Sequence, residues 1–285
     1  MSKLKIAVQK NGRLSEKSLE LLKNCGIKLQ NGGRVLKSSA TNFPIEVLFL
    51  RDDDIPQYVE QGIADLGILG QNEVWEKEKD VLELKTLGFA GCRLSLAVPK
   101  ENNYTGINSF EGKRVATSYP NILSSYFKAQ NINVTIEEIG GSVEIAPGIG
   151  LADGIMDIVS TGSTLIMNGL KEVETVAKSE AVLIVNKNLS TEKAELLKQL
   201  LFRIDAVQQS RENKYILLNA PNTQIEEITK ILPGMKSPTV LQLAQDGWSS
   251  LHSVIKEDDF WNVIEQLKNA GAEGILVVPI EKMIL

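Results

Sequence analysis

Apolar and polar positions alternate over residues 5–9, which predicts a short strand, and then the period changes. Over 15–25 the apolar positions Leu19, Leu21 and Leu22 fall at helical spacing, with Ser15 as a cap and Gly26 as the stop. Strand patterns recur at 45–50, 66–69, 93–98, 114–117, 157–160 and 181–185, separated by helix-length stretches such as 55–61 and 121–130. This alternation predicts an α/β protein with largely parallel sheets.

The last stretch has a different rhythm. Strands at 214–219, 239–244, 249–255 and 274–278 and helices at 223–232 and 260–270 follow in the order β-α-β-β-α-β, the pattern of a ferredoxin-like module. Pro233-Gly234 and Gly271 close its two helices. A charged helix over 192–211 joins it to the body, which places a boundary near Arg211.

Length and composition narrow the picture. A chain of 285 residues suggests about two folding units, and 43% hydrophobic with 24% charged residues excludes disorder, collagen and coiled coil. A net charge of -5 argues against a broad nucleic-acid surface, so any anionic ligand must be held by a local pocket. Cys25 and Cys92 have no C-x-x-C spacing, which suggests neither a zinc site nor a disulfide framework. Lysines interrupt the apolar run of residues 1–10, and no segment approaches a membrane span; a cytoplasmic location without membrane partners is expected. His252 is the only histidine and lies in the C-terminal module, so a Ser-His-Asp or Cys-His machine fits poorly. Chemistry that runs on electrostatics fits better.

The most informative run is Asp153-Gly-Ile-Met-Asp157-Ile-Val-Ser-Thr161-Gly162-Ser163-Thr164-Leu165. Apolar residues give way there to small hydroxylated ones and a glycine, as where a strand empties into a phosphate cradle. Backbone N–H groups and hydroxyls of Thr161, Gly162, Ser163 and Thr164 can converge on a phosphate monoester, while Asp157 accepts hydrogen bonds from ribose hydroxyls. The plainer alternative makes these residues a helix cap and Asp157 a surface turn.

This run resembles the phosphoribosyl-pyrophosphate loop of phosphoribosyltransferases and, over the longer motif from Glu144 through Gly150, Ala152, Ile155 and Asp157 to Leu165, the ATP phosphoribosyltransferase family. The blocks QKNGRLSEKS (9–18), RDDDIP (51–56), GIADLGILG (62–70), GCRLSLAVP (91–99) and RVATSYPNI (114–122) are similar to family blocks in the same order. One departure from the wider superfamily is Met156-Asp157, a single carboxylate where many relatives have two; Asp153 or Glu144 is the candidate for the missing contact.

The resemblance implies a two-lobed body like that of periplasmic binding proteins, followed by a ferredoxin-like regulatory domain. Residues 1–98 with 179–210 would form the first lobe, 99–178 the second, and 211–285 the regulatory domain. It implies transfer of a phosphoribosyl group from phosphoribosyl pyrophosphate to N1 of ATP, the first step of histidine biosynthesis, with Mg2+ carried on substrate phosphates rather than by dedicated protein ligands. Lys10, Gly12, Arg13, Arg51, Asp65 and Arg93 are expected around ATP and pyrophosphate, and Thr117 and Ser118 are further candidate contacts. Taken without the family, Lys10 and Arg13 are solvated loop charges, Asp52, Asp53 and Asp54 a helix start, Arg93 equally a structural ion pair, and the glycines around Asp65 a structural strand end. The long form further implies inhibition by L-histidine near Asn219, Met235, Thr239, Val254 and Gly274, and homo-oligomers, dimers and hexamers.

Overall fold

The computed structural model describes residues 2–30, 36–232 and 234–285, so Pro233 of the expected helix stop lies outside the described residues. In chain order the elements are β1 (Leu4–Gln9), α1 (Arg13–Asn24), β2 (Lys37–Ser39), β3 (Ile45–Leu50), α2 (Ile55–Glu60), β4 (Leu66–Gly70), α3 (Gln71–Lys77), β5 (Leu82–Thr86), β6 (Cys92–Pro99), β7 (Arg114–Thr117), α4 (Pro120–Ala129), β8 (Thr135–Glu138), β9 (Gly154–Val159) and α5 (Ser163–Met167). They continue with β10 (Leu170–Ser179), β11 (Ala181–Val185), α6 (Thr191–Glu212), β12 (Asn213–Pro221), α7 (Ile225–Ile231), β13 (Thr239–Gln242), β14 (Trp248–Lys256), α8 (Phe260–Asn269) and β15 (Glu273–Pro279). Two compact units result, Met1–Lys23 with Ile27–Leu196, and Asn24–Gly26 with Leu197–Leu285.

The first unit holds two sheets, ordered β2-β3-β1-β4-β11-β5 and β10-β6-β9-β7-β8, the expected two-lobed α/β body. The largely parallel expectation needs correcting, because both sheets are mixed. β1 runs parallel to β3 and β4, and β7 parallel to β8 and β9, while β6, β10, β11, β5 and β2 pair antiparallel. The reason is the path between lobes. β6 and β11 arrive from the other sheet, so they enter at the crossover end and run against strands wound by β-α-β connections. The lobe boundary also moves: β6, expected in the first lobe, pairs with β9 and β10 in the second sheet.

Burial explains which strands are central. All five residues of β11 are buried, as befits a strand covered on both faces. Gly67 on β4 lets α2 press close: a Cβ there would lie 2.5 Å from Ile55 Cγ2 and 3.0 Å from Ile184 Cγ1. The plainer reading of this glycine, strand packing, is therefore what the structure shows.

In the second unit the sheet order is β13-β14-β12-β15 with every pairing antiparallel, the arrangement of two interleaved β-α-β halves. Ile216, Leu218, Leu251 and Ile255 point to one face and pack with Ile228 of α7 and Leu267 of α8. Strand alternation sends Tyr215, Leu217, Asn219, Ser250, His252 and Val254 to the other face. α6 is continuous through Arg211, and β12 begins just beyond it.

Gly67→Ala is expected to destabilise the chain by about 1–3 kcal/mol through overpacking against Ile55, read as a lower denaturant midpoint with unchanged slope.

Candidate functional site

Parallel strands of an α/β sheet present ligands at their C-terminal ends, where loops and helix starts expose unpaired N–H groups. In the second sheet that edge carries the loop after β9. β9 ends at Val159, Gly162 turns the chain at φ +81°, and α5 opens at Ser163. A Cβ at Gly162 would come no nearer than 3.9 Å to Val159 Cγ1, so conformation rather than space requires glycine. Thr161 and Ser163 hydroxyls lie 3.1 Å apart, and both residues are solvent-exposed.

Asp157, Thr161, Gly162 and Thr164 line one cavity of about 270 Å³, and Glu144 lines it too. That is smaller than the roughly 300–1,000 Å³ of a site enclosing a whole drug-sized ligand, so it suits one end of a molecule. Burial raises the Asp157 carboxyl above its ordinary pKa, the Ile158 N–H at 2.7 Å opposes this, and the neighbouring Glu144 charge adds to it.

Arg93 stands behind the loop. Its Nε and Nη2 donate to Glu172 Oε1 and Oε2 at 2.5 and 2.6 Å, and its Nη1 donates to the Ser160 carbonyl at 3.1 Å. This fork holds the Arg93 pKa above its usual range and the Glu172 pKa below. Arg93 is thus held in an ion pair and fixes the residue that begins the loop, and with Ser160 it lines a second cavity of about 590 Å³. Thr117 and Ser118 sit at the end of β7 beside β9, but their hydroxyls serve the turn: Thr117 Oγ1 accepts from Tyr119 N at 2.9 Å and Ser118 Oγ donates to the Ile139 carbonyl at 2.6 Å.

On the first sheet, Lys10, Gly12, Arg13 and Arg51 are exposed at the C-terminal ends of β1 and β3, joined by the Lys10 N–H to the Leu50 carbonyl at 2.7 Å. Gly12 takes φ +92° and its carbonyl accepts the Glu16 N–H in the first turn of α1.

Two expected site residues lie elsewhere. Asp65 precedes β4, and in parallel register with β1 it falls beside Lys5, a strand's length of roughly 16 Å from the Lys10 edge. It is buried, accepts the Lys5 N–H at 2.8 Å and pairs with Lys193 at 2.7 Å, so its carboxylate is already committed. Asp153 precedes β9 and likewise stands at the far end from the loop, accepting the Arg114 N–H at 2.9 Å. The second carboxylate near the cradle is Glu144, not Asp153.

Sequence reasoning missed Glu73, Glu76 and Tyr119. Burial lifts the Glu73 carboxyl up to about 7, the Asp52 charge pushes the same way, and a hydrogen bond with Tyr119 opposes both. Burial raises the Tyr119 hydroxyl as well, followed by the charges of Glu73 and, more weakly, Asp157 and Asp52. Within EVWEKEKD (73–80) the run of acids and lysines has the pattern of a solvated helix face; only the apolar Val74-Trp75 between Glu73 and Glu76 signals burial.

The histidine candidates fall in the second unit. Asn219, Thr239 and Val254 share the face of the sheet away from α7 and α8, and Gly274 abuts Asn219, a Cβ there meeting its Nδ2 at 3.3 Å. Met235 is exposed in the turn before β13. His252 on that face is held by Tyr215 Oη at 3.0 Å and Ser250 Oγ at 3.1 Å. Among the described residues no three His, Cys, Asp or Glu side chains converge as a metal site, and no helix is long and apolar enough to cross a membrane.

Fold and site together define a two-lobed α/β enzyme body with a phosphate-type loop, extended by a four-stranded antiparallel module. The family profile described as ATP phosphoribosyltransferase matches residues 51–206, and that described as HisG, C-terminal domain, matches 210–282. ATP phosphoribosyltransferases of Cytophaga hutchinsonii and Phocaeicola vulgatus are 59% and 58% identical to this chain over 99% of its length, covering 98% and 100% of theirs. Among solved structures, the ATP phosphoribosyl transferase (HisG:HisZ) complex from Thermotoga maritima matches at TM-score 0.62 and 30% identity, over 70% of this chain and 95% of that one. The chain belongs to the ATP phosphoribosyltransferase family, the transferases of the first step of histidine biosynthesis, and it carries the C-terminal domain of the long form.

The Glu73 shift has a stability consequence. Between pH 4.5 and about 7 the folded chain keeps a proton that the unfolded chain has released, so this group's contribution declines as pH rises through that window. Glu73→Gln removes the titration. Relative to wild type, the variant is expected to gain roughly 1–3 kcal/mol of unfolding free energy between acid and mildly alkaline pH, measured by denaturant titration across the window.

Proposed function

We propose that the chain transfers the phosphoribosyl group of phosphoribosyl pyrophosphate to N1 of ATP in the cytoplasm, under inhibition by histidine. The observation that carries this reading is the meeting of Glu144, Asp157 and the Thr161–Thr164 turn around one cavity sized for the sugar-phosphate end of the donor. The 5'-phosphate takes the loop's N–H groups and hydroxyls, and Asp157 accepts from the ribose diol, which fixes C1' relative to the anchored phosphate. Pyrophosphate and the ATP triphosphate face Lys10, Arg13 and Arg51, where guanidinium forks suit phosphate oxygens.

The adenine N1 lone pair forms the new bond to C1' as the C1'–O bond to pyrophosphate breaks, with inversion and oxocarbenium character at C1'. No protein nucleophile is required, and the chain supplies alignment and cationic stabilisation of the departing charge. The described acids fit a Mg2+ carried on substrate phosphates, with Asp157 and Glu144 the carboxylates facing the cavity. When bound, it neutralises pyrophosphate charge.

For the regulatory unit, the reading places histidine on the uncovered face near Asn219, Thr239 and Val254, with Gly274 and Met235 at its margin. Inhibition requires that histidine bind the inhibited assembly more tightly than the active one. That assembly is read as a homo-oligomer, dimeric or hexameric.

The purified chain with ATP, Mg2+ and phosphoribosyl pyrophosphate is expected to release pyrophosphate and change the adenine ultraviolet absorption. Asp157→Ala should lower kcat/KM by roughly 100-fold or more, and Gly162→Val, strained at φ +81°, should do likewise with circular dichroism unchanged. Turnover retained in both variants, or activity only with a free base in place of ATP, would sink this reading.

Asn219→Ala should raise the histidine concentration for half-inhibition about tenfold while uninhibited turnover stays within about twofold. Unchanged inhibition moves the effector site elsewhere.

A further inference from the structure

The first turn of α4 has no cap of its own. Pro120 brings no N–H, Tyr119 makes no side-chain capping hydrogen bond, and the Leu123 N–H goes to the Tyr119 carbonyl. The N–H groups of Asn121 and Ile122 remain, and Glu76 takes both, at 3.0 Å to Oε1 and 3.1 Å to Oε2. The Asn121 side chain donates in return from Nδ2 to the Glu76 carbonyl at 2.9 Å. Glu76 belongs to α3, the helix that leaves β4 of the first sheet, whereas α4 follows β7 of the second. A carboxylate from one lobe therefore completes a helix of the other, where the partial positive charge of the N-terminus favours it.

Neighbouring side chains make the same crossing. Val74 packs with Ala7, Ile55 and Leu69 in the first lobe, while Trp75 packs against the cluster of Leu94, Leu123 and Phe127 in the second. The Asn72 N–H donates to Ser179 Oγ at 3.0 Å, and that hydroxyl donates back to Asn72 Oδ1 at 2.9 Å, where β10 ends. Glu76 is 5% exposed, so its hydrogen bonds are shielded from water. With seven residues α3 is roughly 10 Å long, a short and stiff span.

The ends of that span are the two edges that a reaction between two substrates must bring together. β4 lies beside β1 in parallel, so α3 departs from the edge that carries Lys10, Arg13 and Arg51. Only two residues separate β7 from α4, and Thr117 at the end of β7 pairs with Met156, the neighbour of Asp157 in the phosphate cavity.

We propose that Glu76 is a positioning residue for the transfer: by capping α4 from the first lobe it holds, before either substrate binds, the cationic edge and the phosphate loop at the separation that transfer needs. This rests on the transferase reading only for the identity of the ligands. The latch itself stands on the hydrogen bonds and on Trp75. With the latch cut, a ligand that bridges both edges must close the cleft itself, and it loses affinity by the fraction of chains left open. Once both substrates are bound the cleft is closed again, so turnover at saturation changes little.

Trp75 is the internal probe, once Trp248→Phe and Trp261→Phe silence the other tryptophans in the full chain. In that background Glu76→Ala should shift the ligand-free emission of Trp75 to the red, and the saturating Mg2+ complex of phosphoribosyl pyrophosphate should shift it back. With the fold checked by circular dichroism, the variant should raise KM for phosphoribosyl pyrophosphate and for ATP by a common factor of about ten, with kcat within about threefold. Glu76→Gln, which puts an amide NH2 where one oxygen accepted an N–H, makes the same test if the alanine variant does not fold. A cap that served stability alone would lower the denaturant midpoint and leave both KM values unchanged in the folded chain. That result, a loss confined to kcat, or Trp75 emission matching wild type would each overturn the proposal. A wild-type chain inactive towards ATP counts against the transferase reading, while the latch is then judged on the ligand-free emission of Trp75.

Discussion

The pairing of Arg93 with Glu172 sets the geometry on which the phosphate loop depends. Two parallel N–H donors meet two carboxylate oxygens, which fixes the guanidinium plane, and the remaining Nη1 then reaches the carbonyl of Ser160. A single-point cation could neutralise Glu172 but could not hold that carbonyl as well. Ser95 Oγ adds a third donor to the same carboxylate at 2.7 Å, so β6 and β10 are fastened next to where β9 ends. Loop residues that must meet a phosphate without rearranging need this kind of support, because their own hydroxyls and amides face solvent. Arg93 thus supports the loop, and with Ser160 it lines a second cavity beside it.

The strand edges explain what the sequence made legible. β3, β7 and β11 match the periodic pattern at both ends, and the β-α-β-β-α-β order of the second unit matches throughout, because apolar alternation and turn residues report burial directly. β10 was not foreseen. Its LKEVETVAKS run is polar, carries two register shifts and lies at a sheet edge, where a strand can be hydrophilic. Missing β10 meant missing Glu172, the carboxylate that Arg93 pairs with.

Asp65 and Asp153 stand apart from the edges that carry the other expected site residues. Each is an acid beside glycine and an apolar run, the same local composition that marks Asp157. Composition does not distinguish the beginning of a strand from its end, whereas chain direction does. Both acids precede their strands and so fall at the N-terminal edge, where backbone N–H groups of Lys5 and Arg114 take them up. Asp157 stands within β9 near the end that opens onto the loop. Glu73 and Glu76 escaped for another reason, since helical charge runs are usually solvated and only tertiary contact shows that α3 is shared between sheets.

Charge gives the last constraint on the cleft. The chain carries a net charge of -5, and Glu144 and Asp157 put two carboxylates on the cavity where the proposed reading binds a polyanion. A net negative charge gives little long-range attraction for such ligands, so the proposed reading relies on contacts made at close range: loop amides and hydroxyls on one sheet edge, and Lys10, Arg13 and Arg51 on the other. Arg93 contributes little to that attraction because Glu172 already uses its charge. The clustered carboxylates then resist a bare phosphate and favour one whose charge is partly cancelled. Under the proposed transferase reading, a donor that arrives with its own divalent cation meets that condition without a cage of protein ligands.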